Sequence, residues 1–140
     1  MPLTACIKQT TFGDVSFSDH KTSCKLIIEN INKIEFIKVQ VDNCLPITGT
    51  KCDFALLIKS CSACILIELK GSNFKHAVDQ LDNTIKWFLS VGCIKSTNCY
   101  IVMSNRIPGH TAKIQNIIDR FRKKNGIIIK TVRSGNRISL

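Results

Sequence analysis

Residues 51–72 read KCDFALLIKSCSACILIELKGS. Two apolar runs, Cys52 to Ile58 and Cys64 to Lys70, flank a Lys-Ser-Cys-Ser-Ala segment, the pattern of two strands joined by a turn. An antiparallel hairpin folded about residues 60–63 sets Asp53 opposite Lys70, with Glu68 two residues along the same strand. Side chains alternate with period two, so Asp53, Glu68 and Lys70 share one face. The other face carries Cys52, Phe54, Leu56 and Ile58 with Ile65, Ile67 and Leu69. It is the expected core face and fixes the register. A carboxylate pair suits a hard divalent cation, and a lysine beside it suits a phosphate or an attacking water. Glu68 is one of three glutamates in the chain. It sits in a run otherwise fit for a core, where an unpaired charge is costly.

Downstream, Gly71-Ser72-Asn73 breaks the strand and caps a helix over Phe74 to Leu89. Phe74, Ala77, Val78, Leu81, Ile85, Phe88 and Leu89 form its apolar stripe. Asn73, His76, Gln80, Asn83 and Trp87 form a polar stripe beside it. This places Gln80 within reach of a metal-bound water or a nucleic-acid backbone. A short buried strand follows over Cys99 to Ser104, then a Pro108-Gly109 turn. A second helix spans Thr111 to Lys124, with Ile114, Ile117, Ile118 and Phe121 on one face and Gly126 past its end. Ile127 to Val132 is a last strand, and Ser134-Gly135-Asn136 is a turn before the tail. Upstream, Lys33 to Asp42 alternates as a strand, and the stretch around Pro46 and Gly49 is a loop. Residues 23–31 read either as a helix capped by Ser23 or as a buried strand. Ile7 to Phe17 holds a short strand broken at Gly13. The expected fold is α/β, a mixed central β-sheet flanked by helices, in a single domain over residues 1–140.

An aspartate, a gap, Glu-x-Lys at a strand end and then a helix with a central glutamine resembles the PD-(D/E)XK nuclease superfamily. This superfamily includes restriction endonucleases and Holliday-junction resolvases. The resemblance spans roughly residues 33–105. It implies a restriction-endonuclease-like core of a helix, a three-strand meander, a helix and a strand. It also implies Mg²⁺-dependent hydrolysis of DNA phosphodiesters, with Mn²⁺ able to substitute. Asp53 and Glu68 would be metal ligands, Lys70 the catalytic lysine and Gln80 the helix glutamine. Here the aspartate follows Cys52 rather than proline. The acid often supplied by the first helix has two candidates, Glu29 and Asp42.

The net charge of +10 is uneven. Residues 106–140 hold nine Lys and Arg against one acid, Asp119. Such a footprint suits a polyanion, most simply nucleic acid, and Arg120, Arg122, Lys123 and Lys124 are the candidate phosphate contacts. A solvated helix end favoured by the macrodipole is the competing reading of that cluster. The rival functions are a catalytically inactive nucleic-acid-binding module of the same fold and an adaptor protein with a basic face. One site cuts one strand, so duplex or junction DNA implies a homodimer.

No apolar run reaches membrane-spanning length and the N-terminus lacks the pattern of a secretory signal, so a cytoplasmic location is expected. The eight cysteines are accordingly expected as thiols. Cys44, Cys52, Cys61 and Cys64 do not make one zinc site on the hairpin, because Cys52 lies at the end opposite Cys61 and Cys64. His76 is expected as a surface helix histidine, and His20 and His110 have no partner pattern.

Overall fold

The computed structural model describes residues 3–19, 21–70, 73–92, 96–104 and 111–140. The Gly71-Ser72 break, the Pro108-Gly109 turn, Arg106, His20 and His110 lie outside the described residues. Strands β1 (Ile7–Thr11), β4 (Phe36–Gln40), β5 (Phe54–Ile58), β6 (Ala63–Lys70), β7 (Ser96–Met103) and β8 (Ile129–Arg133) form one sheet in the order β1-β4-β5-β6-β7-β8. The pairs from β1 to β6 are antiparallel, and β6-β7 and β7-β8 are parallel. A second sheet joins β2 (Val15–Ser18), β3 (Lys25–Glu29) and β9 (Arg137–Ser139). The helices are α1 (Phe74–Val91) and α2 (Ala112–Asn125). The sheet is mixed and the fold is α/β.

Parallel neighbours need a crossover, and α1 and α2 supply the two in succession. Right-handed crossovers that step in the same direction place both helices on the same sheet face. The helices therefore cover one face only, and the β2-β3-β9 sheet covers the other. Alternation along each strand shows the division. Ala55, Cys64, Leu66, Cys99, Ile101 and Met103 pack with Ala77, Leu81, Ile85 and Phe88 of α1 and Phe121 of α2. Leu56, Ile58, Ile65, Ile67, Leu69 and Val102 pack with Val15, Phe17, Leu26 and Ile28 of the small sheet. Both faces of β6 are thus buried, which is why its sequence is a nearly unbroken apolar run.

The open reading of residues 23–31 resolves to a strand, β3 (Lys25–Glu29), so no α-helix precedes the meander among the described residues. Three expectations change. Cys52 precedes β5 and packs on the helix side rather than with Phe54. Phe54 pairs with Ile67, which by extension sets Asp53 opposite Glu68 rather than Lys70. The cause is a 3₁₀ turn over Lys59–Cys61 and a left-handed Ser62 (φ 52°), which move the turn to residues 59–62, one position earlier than expected. The offset is even, so no side chain changes face. Finally, Cys6 and Cys44 form a disulfide, with Cα atoms 5.7 Å apart. The pairing of Ile7 with Val39 brings the start of β1 beside the loop after β4. Cys24, Cys52 and Cys99 are buried thiols and Cys61 is exposed. No helix among the described residues is long and apolar enough to cross a membrane.

Candidate functional site

Asp53, Glu68 and Lys70 converge at the open end of the β5-β6 hairpin, on the helix side of the sheet. The even-numbered residues of β6 face the helices, so Glu68 and Lys70 follow Cys64 and Leu66 toward α1. The polar stripe of α1 meets them. Lys70 Nζ donates to Gln80 Oε1 at 3.0 Å, and Gln80 Nε2 donates to the Lys51 carbonyl at 3.0 Å. One residue therefore ties the lysine to the loop before β5. Asn83 strengthens the same seam by donating to the carbonyls of Thr48 and Thr50. Thr84 Oγ1 accepts from the Cys52 N–H at 2.9 Å. The helix starts at this edge, with Asn73 Oδ1 accepting from the His76 N–H at 3.2 Å.

The carboxylates are held differently. Asp53 Oδ2 accepts from the Leu69 N–H at 2.9 Å. Glu68 is 2% exposed, and Lys70 Nζ lies 3.8 Å from its Oε2. Its Oε1 is buried with no hydrogen-bond partner among the described residues. Burial raises the Asp53 pKa to about 6, aided by Asp19 and Asp42 and opposed by the Leu69 N–H and Lys70. Burial and then the charge of Asp53 raise Glu68 to about 9, against Lys70 and the Asp53 N–H. Two neighbouring carboxyls with lifted pKa values define a place where negative charge is under-compensated.

A cavity of about 320 Å³ opens onto this cluster. Asp53, Glu68, Lys70, Asn73 and Gln80 line it, together with Asp19, Lys21 and Thr22 from the β2-β3 turn. The sequence reading missed those last three. Their signal was local and structural. The Lys21 N–H (3.0 Å) and the Thr22 hydroxyl (3.3 Å) donate to the Asp19 carboxylate, closing the turn. Nothing in that pattern says which surface the turn overhangs.

Of the two candidates for an upstream acid, Asp42 lies close. Its N–H donates to the Asp53 carbonyl at 3.3 Å, and its charge acts on both Asp53 and Glu68. Glu29 does not belong here. It lies at the other end of β3, 3.8 Å from Arg137 and hydrogen-bonded by Ser139. Among the described residues no group of three or more His, Cys, Asp or Glu side chains is gathered to hold a metal ion. The two carboxylates at the strand ends stand as a pair.

Arg120, Arg122, Lys123 and Lys124 are not brought to the carboxylates. On α1, Gln80 and Thr84 project from one flank, and Lys75, Asp79 and Asp82 from the other. The α2 cluster belongs to the second flank. Lys124 Nζ is 2.7 Å from Asp82, and Arg120 and Lys124 share a cavity with Lys75 and Asp79.

No protein-family model, curated protein sequence or solved structure matches the chain.

Proposed function

We propose that the chain is a divalent-metal-dependent nuclease that hydrolyses phosphodiester bonds, with DNA as the favoured substrate. The observation that carries this reading is Glu68: a buried carboxylate with an orphaned oxygen, opposite Asp53 and beside a lysine held by Gln80. Such an arrangement is unfavourable alone and is relieved by a cation. Hard carboxylate oxygens fit Mg²⁺ or Mn²⁺. A pair is sufficient, because Mg²⁺ commonly keeps several waters and takes one or two protein carboxylates plus substrate phosphate. The order β4-β5-β6-α1-β7, an antiparallel meander followed by a helix and a parallel strand, supports the same reading. The missing first helix is its departure from the pattern that the sequence resembles.

Asp53 and Glu68 would hold the metal. When bound, it would polarise the scissile phosphate and lower the pKa of a water. Glu68, whose proton burial and Asp53 favour, would have to release it to serve as a ligand. The Leu69 N–H keeps Asp53 aimed at the cavity. Lys70 stabilises the charge that develops on the phosphate, and Gln80 keeps the ammonium in place. The β2-β3 turn narrows the access. One site cuts one strand, so cleavage of a duplex or junction is the task of a homodimer.

The test is nicking of supercoiled plasmid in Mg²⁺ or Mn²⁺ by wild type, Asp53→Asn, Glu68→Gln and Lys70→Met, with circular dichroism as the folding control. Folded variants that no longer nick support the reading. Variants that cut as fast as wild type sink the site assignment.

A further inference from the structure

The last turn of α2 and the cavity lie at opposite ends of the central strands, while Arg120, further back on α2, shares a cavity with Lys75 on the flank of α1 turned away from Gln80. Helix α2 follows β7 and runs back against the strands. At its far end, Asn125 and Gly126 line a cavity with Ser96 and Thr97, the first residues of β7. The last turn of α2 therefore stands about a strand length from Lys70, roughly 25 Å for a strand of this length. Lys124 is also engaged by Asp82, which Lys86 shares at 3.7 Å.

The carboxyl edge of β6, β7 and β8 has its own cations. Lys70, Met103 and Arg133 are in register across the three strands. Met103 packs into the helix-side core, so Arg133 projects to the same face as Lys70, roughly 10 Å away across two strand spacings. Arg133 is exposed, and no carboxylate among the described residues pairs with it. Across the edge, Lys21 lines the cavity itself. The exposed Lys25 sits beside Arg133, because its N–H donates to Ser134 Oγ and its carbonyl accepts from the Gly135 N–H, both at 2.9 Å. Lys21, Lys25 and Arg133 thus form an arc along one side of the carboxyl edge, running from the cavity that Asp53 and Glu68 line toward β8.

We propose that this arc, and not the α2 cluster, grips the sugar–phosphate backbone of a nucleic acid and draws it across the carboxylates. The inference rests on the nuclease reading for the identity of the polyanion. The geometry explains why the cations rim the acids rather than neutralise them. A phosphate chain held along that side would present its scissile group to the cluster that needs a cation.

The experiment measures binding of a fluorescein-labelled DNA duplex by anisotropy across a salt series, in EDTA so that no cleavage intervenes. The arc variant Lys21→Ala/Lys25→Ala/Arg133→Ala is compared with Arg120→Ala/Arg122→Ala/Lys123→Ala. The arc variant is expected to bind at least about tenfold more weakly. Its slope of log affinity against log salt should fall by roughly two to three, while the α2 variant keeps the wild-type slope. Should the triple variant misfold, Arg133→Ala alone, at an exposed position, is expected to lower the slope by about one. The reverse pattern, or a wild type that shows no salt-dependent binding of DNA, overturns the proposal. So does capture of an acidic protein with indifference to DNA. Plasmid nicking in Mg²⁺ separates the two claims. A wild type that does not nick but binds through the arc loses the nuclease reading alone; one that nicks but binds independently of the arc loses this surface alone.

Discussion

Two glutamate–lysine pairs sit on the central sheet at nearly the same separation, one at each end of the β5-β6 hairpin. Lys59 and Glu35 lie 3.7 Å apart, and Lys70 and Glu68 lie 3.8 Å apart. Their surroundings differ completely. The Lys59 side chain is 73% exposed and that of Glu35 is 30% exposed, whereas Lys70 is 20% and Glu68 3% exposed. Water screens the first pair, and such pairs contribute little. The second is out of water, and Asp53 adds a further carboxyl beside it. One lysine cannot balance both. The same two residue types are decoration at one end of a hairpin and a charge imbalance at the other.

The sharpest way to break this comparison is Glu68→Gln. Cleavage in Mg²⁺ should fall by on the order of 10²-fold or more, while the metal-free protein becomes more stable at pH 8 by thermal melting. A variant that is inactive but also less stable would mean that Glu68 serves the fold rather than a metal. Next in size is Gln80→Ala. Releasing Lys70 from its tether should lower the cleavage rate roughly ten- to a hundredfold with little effect on DNA affinity; an equal loss of affinity would assign Gln80 to binding instead.

The third test is the pH course of stability without metal. Glu68 is raised from 4.5 to about 9 and Asp53 from 3.8 to about 6. The folded state then holds protons that the unfolded state has already released. Their contribution is complete below pH 4 and is lost as the pH rises through 6 and on to 9. The melting temperature of the wild type should decline across that window, and that of Glu68→Gln should decline less. Added Mg²⁺ should oppose the decline more strongly at higher pH, since ligation requires the deprotonated carboxylates. A flat profile would show that the carboxyls are not buried as described. The smallest effect belongs to the other pair. Glu35→Ala should change stability by less than about 1 kcal/mol and leave cleavage untouched.

The hairpin, both helices and the shared face of Asp53, Glu68 and Lys70 were legible, because alternation and caps are local signals. Gly126 (φ 70°) ends α2 as the sequence suggests, and Thr111, expected as its first residue, is its cap. Other features depended on the chain meeting itself at long range. Strand β9 has three residues and forms only by pairing with β3, more than a hundred positions upstream. The Cys6–Cys44 bond has no sequence spacing to announce it. Asp19 reaches the cavity only because β2 and β3 leave the central sheet to form a second layer. Where the charge-rich α2 would lie was hidden for a related reason. Abundance of Lys and Arg is visible in sequence, but the edge on which a helix ends is a property of the crossover.

The loop before β5 grips α1 through its main chain: the carbonyls of Thr48, Thr50 and Lys51 receive Asn83 and Gln80. A carbonyl is the same whatever side chain it carries. Substitutions at positions 48 and 50 should therefore be tolerated as long as the path of the loop is kept; Lys51 differs, because its Nζ also donates to the carbonyls of Ile47 and Gly49, both at 3.2 Å. Gly49, at φ 85° with a would-be Cβ 3.5 Å from Asn83, is where that tolerance ends. The mutational constraint on the lysine's position thus falls on the helix side chains, Lys51 and one glycine, while positions 48 and 50, which hold Asn83, are free to drift.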